Sequence, residues 1–120
     1  MVAVLNNGIR ILIVDDEEPI RIMVSSLVSM MGANPVAASN GKEALELFQQ
    51  NQFDLVITDL DMPEIDGLTL ASSIKENSPR TPIVMITGNE TAHLEIDHVD
   101  FVVFKPFGRA EFESTIRSFL

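Results

Sequence analysis

Short apolar runs recur along this chain, and polar stretches with a helical period separate them. Four runs are rich in Ile, Val and Phe and are apolar on consecutive positions: Ile11–Val14, Leu55–Ile57, Ile83–Ile86 and Phe101–Phe104. Consecutive apolar positions predict strands that are buried on both faces, as in a parallel sheet. A weaker run at Asn34–Ala38 predicts a fifth strand.

The segments between the runs carry apolar residues at the spacing of one helix face. In order along the chain these are Ile20, Val24, Leu27, Val28 and Met31; Ala44, Leu45 and Phe48; Leu70 and Ile74; and Phe112, Ile116, Phe119 and Leu120. Pro19 and Gly32 suit the start and the end of the first helix. Asn40 followed by Glu43 predicts a capping box at the second. The segment Glu90–Ile96 is long enough only for a short helix.

The alternation of strands and helices predicts an α/β fold with a five-stranded parallel sheet. Right-handed crossovers would then place helices on both faces of that sheet. The sequence shows no internal repeat, low-complexity tract or linker. We therefore expect a single domain over residues 1–120, with its core from about residue 9 onward.

Composition narrows the classes of function. The chain of 120 residues has no cysteine, which excludes disulfides and thiolate metal sites, and its net charge of −10 disfavours direct binding to nucleic acid. No apolar stretch approaches the roughly 20 residues that span a bilayer. The N-terminal residues lack the pattern of a signal peptide, so we expect a cytoplasmic protein without membrane contact.

Charged and hydroxylic residues follow four of the predicted strands. They are Asp15-Asp16, Asp59, Thr87-Gly88 and Lys105-Pro106, after the first, third, fourth and fifth strands. In open α/β sheets, ligands bind beyond the carboxyl ends of the strands. The sequence therefore predicts a site at this edge of the sheet.

The charges of these residues point to a metal ion and to phosphoryl chemistry. Asp15, Asp16 and Asp59 bring three negative charges against one positive charge of Lys105, and a divalent cation would balance the remainder. Oxygen ligands favour Mg²⁺, with Mn²⁺ or Ca²⁺ as substitutes. A carboxylate can attack a phosphoryl group when a metal, a cation and a small donor hold its oxygens. Lys105 and Thr87 supply the last two.

Each motif taken alone has a simpler interpretation. The acids that begin with Asp15 could only favour a helix dipole, and the stretch from Asp59 to Gly67 could be a turn-rich loop. Lys105 and Thr87 are commonplace residues. Their occurrence together at successive strand ends makes an accidental arrangement improbable.

The sequence is similar to the receiver domains of two-component response regulators over essentially its whole length, from about Arg10 to Leu120. The matching motifs are ILIVDDEEPIR, DLVITDLDMPEIDGL, PIVMITG and FKPF. The resemblance implies a CheY-like, flavodoxin-like (βα)5 fold with strand order 2-1-3-4-5. It also implies phosphorelay signalling, in which a receiver accepts a phosphoryl group and changes its binding to a partner.

The resemblance assigns roles to individual residues. Asp59 corresponds to the phosphoacceptor, Thr87 to the hydroxyl switch residue and Lys105 to the lysine that binds a phosphoryl oxygen. Asp16 corresponds to the direct metal ligand, and Asp15 contributes to the same acidic pocket through water. Asp61 occupies the position whose backbone carbonyl binds the metal. Pro63 and Gly67 match the family's loop after the phosphorylation site, and the family usually has a cis bond before the proline that corresponds to Pro106.

Three departures from the family pattern stand out. The aromatic or histidine switch position corresponds to Val102, and Phe101 lies on the opposite side of the strand. Thr87 and Lys105 are only 18 positions apart, so we expect the fourth helix to be short or irregular. The usual threonine–aromatic coupling and the usual dimer are therefore in question. Asp61 carries an anion where many relatives are neutral, which predicts unusual dephosphorylation kinetics.

The family resemblance predicts a phosphoacceptor switch that assists its own phosphorylation and dephosphorylation and is not an enzyme on an outside substrate. The implied partners are a sensor histidine kinase or a histidine phosphotransfer protein, together with a downstream protein target. His93 and His98 are expected on the surface and not as phosphodonors.

Two alternatives remain. The Asp-x-Asp stretch that begins at Asp59 resembles the nucleophile loop of haloacid-dehalogenase-type phosphatases, but here Asp15-Asp16 come before it and 120 residues leave no room for a cap domain. A receiver-like scaffold that is never phosphorylated is the other. The change at Phe101 and Val102 permits it, whereas the intact acceptor, acids, threonine and lysine argue against it.

Overall fold

The computed structural model describes residues 8–88 and 98–120, which form five strands and four helices. The strands are β1 (Arg10–Val14), β2 (Asn34–Ala38), β3 (Leu55–Asp59), β4 (Ile83–Thr87) and β5 (Phe101–Phe104). The helices are α1 (Glu18–Met30), α2 (Gly41–Gln50), α3 (Gly67–Asn77) and α4 (Arg109–Ser118). The predicted alternation is confirmed over these residues. The short helix expected at Glu90–Ile96, which includes His93, lies outside the described residues.

The five strands form one parallel sheet in the order β2-β1-β3-β4-β5, which confirms the predicted strand order. Val14 at the end of β1 pairs with Ala38 and with Thr58. Asp59 pairs with Ile86, one residue before the end of β4. The carboxyl ends of β1, β3, β4 and β5 therefore lie at the same edge of the sheet.

Two layers of buried side chains cover the faces of the sheet. One layer packs strand residues against α1 and α4, through Val24, Val28, Phe112 and Ile116. The other packs them against α2 and α3, through Ala44, Leu70, Ala71 and Ile74. Complete burial of a large apolar side chain contributes about 1.5–3 kcal/mol, so these layers hold the helices on both faces as predicted.

Local signals set the helix ends as the sequence predicts. The side-chain oxygen of Asn40 accepts a hydrogen bond from the backbone N–H of Glu43 at 2.8 Å, and the Glu43 carboxylate accepts from the Ser39 hydroxyl at 3.0 Å. Asp66 caps α3 in the same way, with Thr69 N–H as the donor. Gly32 follows α1 with φ of 94°, a conformation that glycine adopts without a steric penalty.

The prediction that every apolar run is buried on both faces is wrong for β5. Phe101 is 47% exposed and Phe104 is 37% exposed, whereas Val103 is buried. The reason is that β5 lies at the edge of the sheet and pairs with β4 alone among the described strands. An edge strand has cover on fewer sides than a central strand. The ring of Phe101 contacts that of Phe119, with centroids 6.3 Å apart.

Val102 and Phe101 lie on opposite faces of β5, as their adjacent positions in the strand predict. Val102 packs against Leu60 and Met85, whereas Phe101 contacts Phe119 beyond α4. Phe101 therefore does not substitute for a side chain at position 102. His98, just before β5, is exposed as expected. None of the helices within the described ranges is long and apolar enough to cross a membrane.

Candidate functional site

Four carboxylates converge where β1 and β3 end. Asp15, Asp16, Glu17 and Asp59 each contribute an oxygen, and these oxygens all lie within 4.8 Å of one another. The convergence follows from topology, because β1 and β3 are neighbours and their carboxyl ends are in register. The structure thus brings together the three aspartates that the sequence predicted from separate segments.

Burial shapes the electrostatics of this cluster. Asp59 is 6% exposed and Asp15 is 4% exposed, whereas Asp16 and Glu17 are exposed to solvent. The pKa of Asp59 is raised from 3.8 to about 6. Desolvation is the main cause, and the charges of Asp15 and Asp16 contribute to the same rise. Burial also raises the pKa of Asp15. The cluster therefore holds more negative charge than its surroundings stabilise.

Lys105 provides the positive charge within this site. Its Nζ lies 3.6 Å from Oδ1 of Asp59 and 3.8 Å from Oδ2 of Asp15. The residue directly follows β5, and its backbone N–H donates to the carbonyl oxygen of Thr87 at 2.8 Å. The bond between Lys105 and Pro106 is cis, as the family resemblance implied. Lys105 lowers the pKa of both aspartates, against the larger effect of burial.

Thr87 is the last residue of β4 and is fully buried. It follows Ile86, which pairs with Asp59, so the threonine lies on the strand next to Asp59 and one position further along. Gly88 comes next, and among the described residues a methyl group built on it would meet no atom within 4 Å.

The backbone around Asp15 is held by three hydrogen bonds. Its N–H donates to the carbonyl oxygen of Ala38 at 3.2 Å, which continues the pairing of β1 with β2. One carboxylate oxygen accepts from the N–H of Glu17 at 2.9 Å. The guanidinium of Arg21, on α1, donates to the Asp15 carbonyl oxygen at 2.8 Å. Arg21 therefore steadies the turn that carries the first acidic residues.

The backbone around Asp59 is held by the start of α3. The N–H of Gly67 donates to the carbonyl oxygen of Leu60 at 2.8 Å. A Cβ atom at position 67 would lie 2.2 Å from the carbonyl oxygen of Asp59, a distance that no side chain allows. Glycine at this position lets α3 approach the end of β3 closely. The glycine that matches the family loop thus has a steric reason.

Two residues of the acidic stretches behave differently from the rest. Asp61 is exposed, and its carboxylate is not among the four that cluster within the described residues. Glu17 does belong to the cluster, although the sequence singled out only the aspartates. Its position directly after Asp16 was the available signal. The sequence could not show which way the chain turns there.

The donor set fits a hard divalent cation. The clustered ligand atoms are all carboxylate oxygens, and Mg²⁺, Mn²⁺ and Ca²⁺ prefer oxygen ligands. Buried aspartates with raised pKa values gain most from a nearby cation, since it favours their charged forms. Lys105 alone leaves the site with excess negative charge.

The strand order and the position of the site define a doubly wound α/β domain with a ligand site at the carboxyl ends of its strands. Residues 11–117 match the response regulator receiver domain family, and the chain belongs to that family. Phosphorelay signalling is the function of this family, whose members are phosphoacceptor switches and not classical enzymes. Receiver domains bind Mg²⁺ at an acidic site. The match favours the receiver over the phosphatase interpretation.

Solved structures with this fold include the response regulator TrrA of Thermotoga maritima in complex with Mg²⁺-BeF. It is 32% identical, with a TM-score of 0.89, over 93% of this chain and 99% of that one. The chemotaxis protein CheY4 of Vibrio cholerae, crystallised at low pH, is 29% identical, with a TM-score of 0.82, over 93% of this chain and 98% of that one.

Curated relatives are longer than this chain. The Guillardia theta protein named Probable transcriptional regulator ycf27 is 41% identical over 116 residues, which are 92% of this chain and 45% of that protein. The autoinducer 1 sensor kinase/phosphatase LuxN of Vibrio campbellii is 36% identical over 117 residues, 98% of this chain and 13% of that protein. The chain therefore spans less than half the length of these two relatives.

Proposed function

We propose that Asp59 accepts a phosphoryl group from a sensor histidine kinase or a histidine phosphotransfer protein, and that this reaction requires Mg²⁺. The observation that carries the proposal is the position of the Asp59 carboxylate, which is buried, lies within 4.8 Å of three other carboxylates and is 3.6 Å from Lys105 Nζ. Such a group can act as a nucleophile toward phosphorus.

The transfer step is a displacement at phosphorus. A carboxylate oxygen of Asp59 forms the new O–P bond while the P–N bond of the donor phosphohistidine breaks. The electron pair of that bond stays on the imidazole nitrogen, and a proton on the other ring nitrogen lets the donor leave as a neutral imidazole. The raised pKa of Asp59 makes the oxygen a stronger nucleophile once it is ionised, and Lys105 favours the ionised form. The attacking carboxylate and the transferred phosphoryl group are both anionic, so the site must stabilise negative charge before and after the transfer.

Asp15, Asp16 and Asp59 would hold the magnesium ion together with the backbone carbonyl of Asp61. Glu17 joins the same carboxylate cluster and is a further candidate. When bound, Mg²⁺ supplies positive charge that offsets the phosphoryl oxygens and the crowded carboxylates. Mn²⁺ or Ca²⁺ would serve as substitutes, because their ligand preferences are similar.

Lys105 and Thr87 would bind the remaining phosphoryl oxygens. Lys105 already lies within 4 Å of Asp59 and Asp15, so its ammonium can contact an added anionic group with little rearrangement. Thr87 ends the neighbouring strand, and no atom of the described residues lies within 4 Å of a methyl group built on Gly88. A hydroxyl at this position can donate to a phosphoryl oxygen.

The biological output of this chemistry would be altered affinity for a downstream protein. The phosphoryl group would shift the domain between two populated conformations, and the partner would bind one of them better. Val102 offers no ring to follow a movement of Thr87, so the usual coupling through an aromatic residue would be replaced or absent. The domain would also assist its own phosphorylation and hydrolysis. Its cytoplasmic location and its extent as one domain over residues 1–120 stay predictions.

Labelling with a small donor tests the proposal directly. Acetyl phosphate and Mg²⁺ are expected to add one phosphoryl group to the protein, detected as a mass increase and mapped to Asp59 by borohydride reduction. Asp59→Asn is expected to remain unlabelled, while Asp54→Asn, at the opposite edge of the sheet, is expected to label normally. Strong labelling of Asp59→Asn would contradict the assignment. Absence of label on the wild type under several donors, despite Mg²⁺ binding, would favour the scaffold alternative.

The metal ligands can be tested apart from phosphorylation. Isothermal titration calorimetry of the wild type is expected to show one Mg²⁺ site. Asp16→Asn is expected to weaken it at least about tenfold, because a ligand charge is lost. Glu18→Gln is the matched control, since Glu18 is an exposed neighbour outside the carboxylate cluster. Equal losses in both variants would show a diffuse charge effect and not a defined ligand.

A further inference from the structure

Thr58 lies directly before the acceptor on β3, and its side chain is fully buried. Its partners on the neighbouring strands are Val14 and Met85, which are both apolar. Valine has almost the same shape as threonine and would suit such neighbours. A buried hydroxyl costs stability unless it finds a hydrogen-bond partner. Its presence here therefore calls for a specific role.

The partner of this hydroxyl is the acceptor residue's own backbone. Thr58 Oγ1 donates to the carbonyl oxygen of Asp59 at 2.9 Å, and the bond is buried. Gly67 approaches the same carbonyl oxygen so closely that a Cβ atom there would lie 2.2 Å away. The carbonyl of Asp59 is therefore confined by a hydrogen bond and by the close approach of α3.

The carbonyl of Asp59 and the N–H of Leu60 belong to one planar peptide group. The Leu60 N–H is the backbone group that lowers the pKa of the Asp59 carboxyl, against the larger effect of burial. Fixing the carbonyl thus fixes the direction of the N–H that contacts the acceptor carboxylate. Hydrogen bonds in such a chain also polarise one another, which strengthens each of them.

We propose that Thr58 is a positioning residue, whose hydroxyl acts through the peptide group between Asp59 and Leu60 to orient the acceptor carboxylate. The inference rests on the proposed function, in which Asp59 binds Mg²⁺ and accepts the phosphoryl group. In this proposal Thr58 contacts neither the Mg²⁺ ion nor the phosphoryl group. It lies on the face of β3 opposite the Asp59 side chain, because adjacent strand residues face opposite ways.

Three variants separate the hydroxyl from the packing of the side chain. Thr58→Val keeps the shape and removes the donor, and Thr58→Ser keeps the donor and removes a methyl group. Thr81→Val is the matched control. Thr81 lies just before β4, at the opposite edge of the sheet, and it is buried. Its hydroxyl forms a hydrogen bond with the hydroxyl of Ser78. The unfolding free energy of each variant is measured in urea, so that loss of stability is recorded separately.

Two readouts test the orientation without any phosphorylation. In metal-free protein, the Leu60 amide and Asp59 carbonyl resonances are expected to move in Thr58→Val and to stay near their wild-type positions in Thr58→Ser and Thr81→Val. Mg²⁺ affinity by calorimetry is expected to fall about three- to tenfold in Thr58→Val, the size of one lost hydrogen bond, and less than about twofold in the other two.

Several outcomes would overturn the positioning role. One is a Thr58→Val protein with wild-type Mg²⁺ affinity and unmoved resonances, even if it is less stable. Another is an equal loss of affinity in Thr58→Ser, which folds with its hydroxyl intact and would then implicate the methyl group. Failure of the wild type to accept a phosphoryl group would instead reject the proposed function, and it would leave the resonance and affinity results to decide the role of Thr58.

Discussion

Nζ of Lys105 lies 3.6 Å from Oδ1 of Asp59, so the residue after the last strand supplies the cation beside the carboxylate at the end of the third. Burial raises the pKa of Asp59 to about 6, and the charge of Lys105 limits that rise. The lysine therefore controls how much of the Asp59 carboxyl is ionised near neutral pH when no metal is bound.

Lys105→Met is expected to move the pKa of Asp59 further above its ordinary value, because the main influence that lowers it is removed. A ¹³C NMR titration of the Asp59 carboxyl in the presence of a chelator measures this shift. If Lys105 also binds a phosphoryl oxygen, labelling by acetyl phosphate should slow by about 10²-fold. Lys42→Met is the control, since Lys42 is an exposed cation on α2. An unchanged Asp59 pKa in Lys105→Met would contradict the arrangement.

Asp59→Asn is expected to stabilise the metal-free protein at neutral pH. Because the pKa is raised from 3.8 to about 6, the folded protein binds this proton more tightly than the unfolded chain does. The carboxyl therefore costs nothing below about pH 4 and costs most above about pH 6. The gain in unfolding free energy should be on the order of 3 kcal/mol at pH 7 and below about 1 kcal/mol at pH 4.

Urea unfolding at the two pH values, with a chelator present, measures this difference. Glu76→Gln serves as the control, because Glu76 is an exposed carboxylate on α3, and its effect should be small at both values. The physical account of Asp59 would be wrong if Asp59→Asn were no more stable than the wild type at pH 7. It would also be wrong if the advantage were larger at pH 4.

The fold and most of the site could be predicted because each depends on signals that are local in sequence. Consecutive apolar residues mark buried strands, and parallel strands bring their carboxyl ends to one edge. Asp15 and Asp59 come directly at the ends of β1 and β3, so their meeting followed from strand order alone. Asn40 and Glu43 predicted the start of α2 because capping depends on spacing within one turn.

The features that the sequence did not reveal depend on tertiary contacts. Phe101 and Phe104 have the pattern of a buried strand, yet β5 is an edge strand, and an apolar run does not show which strands lie at the edge. Glu17 enters the carboxylate cluster only because of the way the chain turns after β1. The hydroxyl of Thr58 is indistinguishable in sequence from any other threonine in a strand.

Gly67→Ala is expected to disturb the acceptor strand from a distance in sequence. The added methyl group would lie 2.2 Å from the Asp59 carbonyl oxygen, so α3 or the backbone of Asp59 must move. We expect a loss of about 1–3 kcal/mol in unfolding free energy and weaker Mg²⁺ binding by calorimetry.

Gly108→Ala is the control, since a methyl group there meets no atom of the described residues within 4 Å. Its cost should be below about 1 kcal/mol, and it should leave Mg²⁺ affinity unchanged. Equal stability of Gly67→Ala and the wild type would show that the close approach is dispensable.

Asp61→Asn is expected to speed phosphorylation by an anionic small donor. Asp61 is exposed and lies two residues beyond the acceptor, so its charge repels acetyl phosphate at close range. Two unit charges 4 Å apart in bulk water interact by roughly 1 kcal/mol, and because Asp61 is exposed we expect labelling that is about two- to fivefold faster in the variant. The gain should shrink at high salt because screening weakens the repulsion.

Timed mass spectrometry gives both the labelling rate and the lifetime of the phosphorylated form, which we also expect to change. Glu64→Gln, an exposed anion in the same loop, should have the smaller effect, and an unchanged rate and lifetime in Asp61→Asn would remove any role for this side chain.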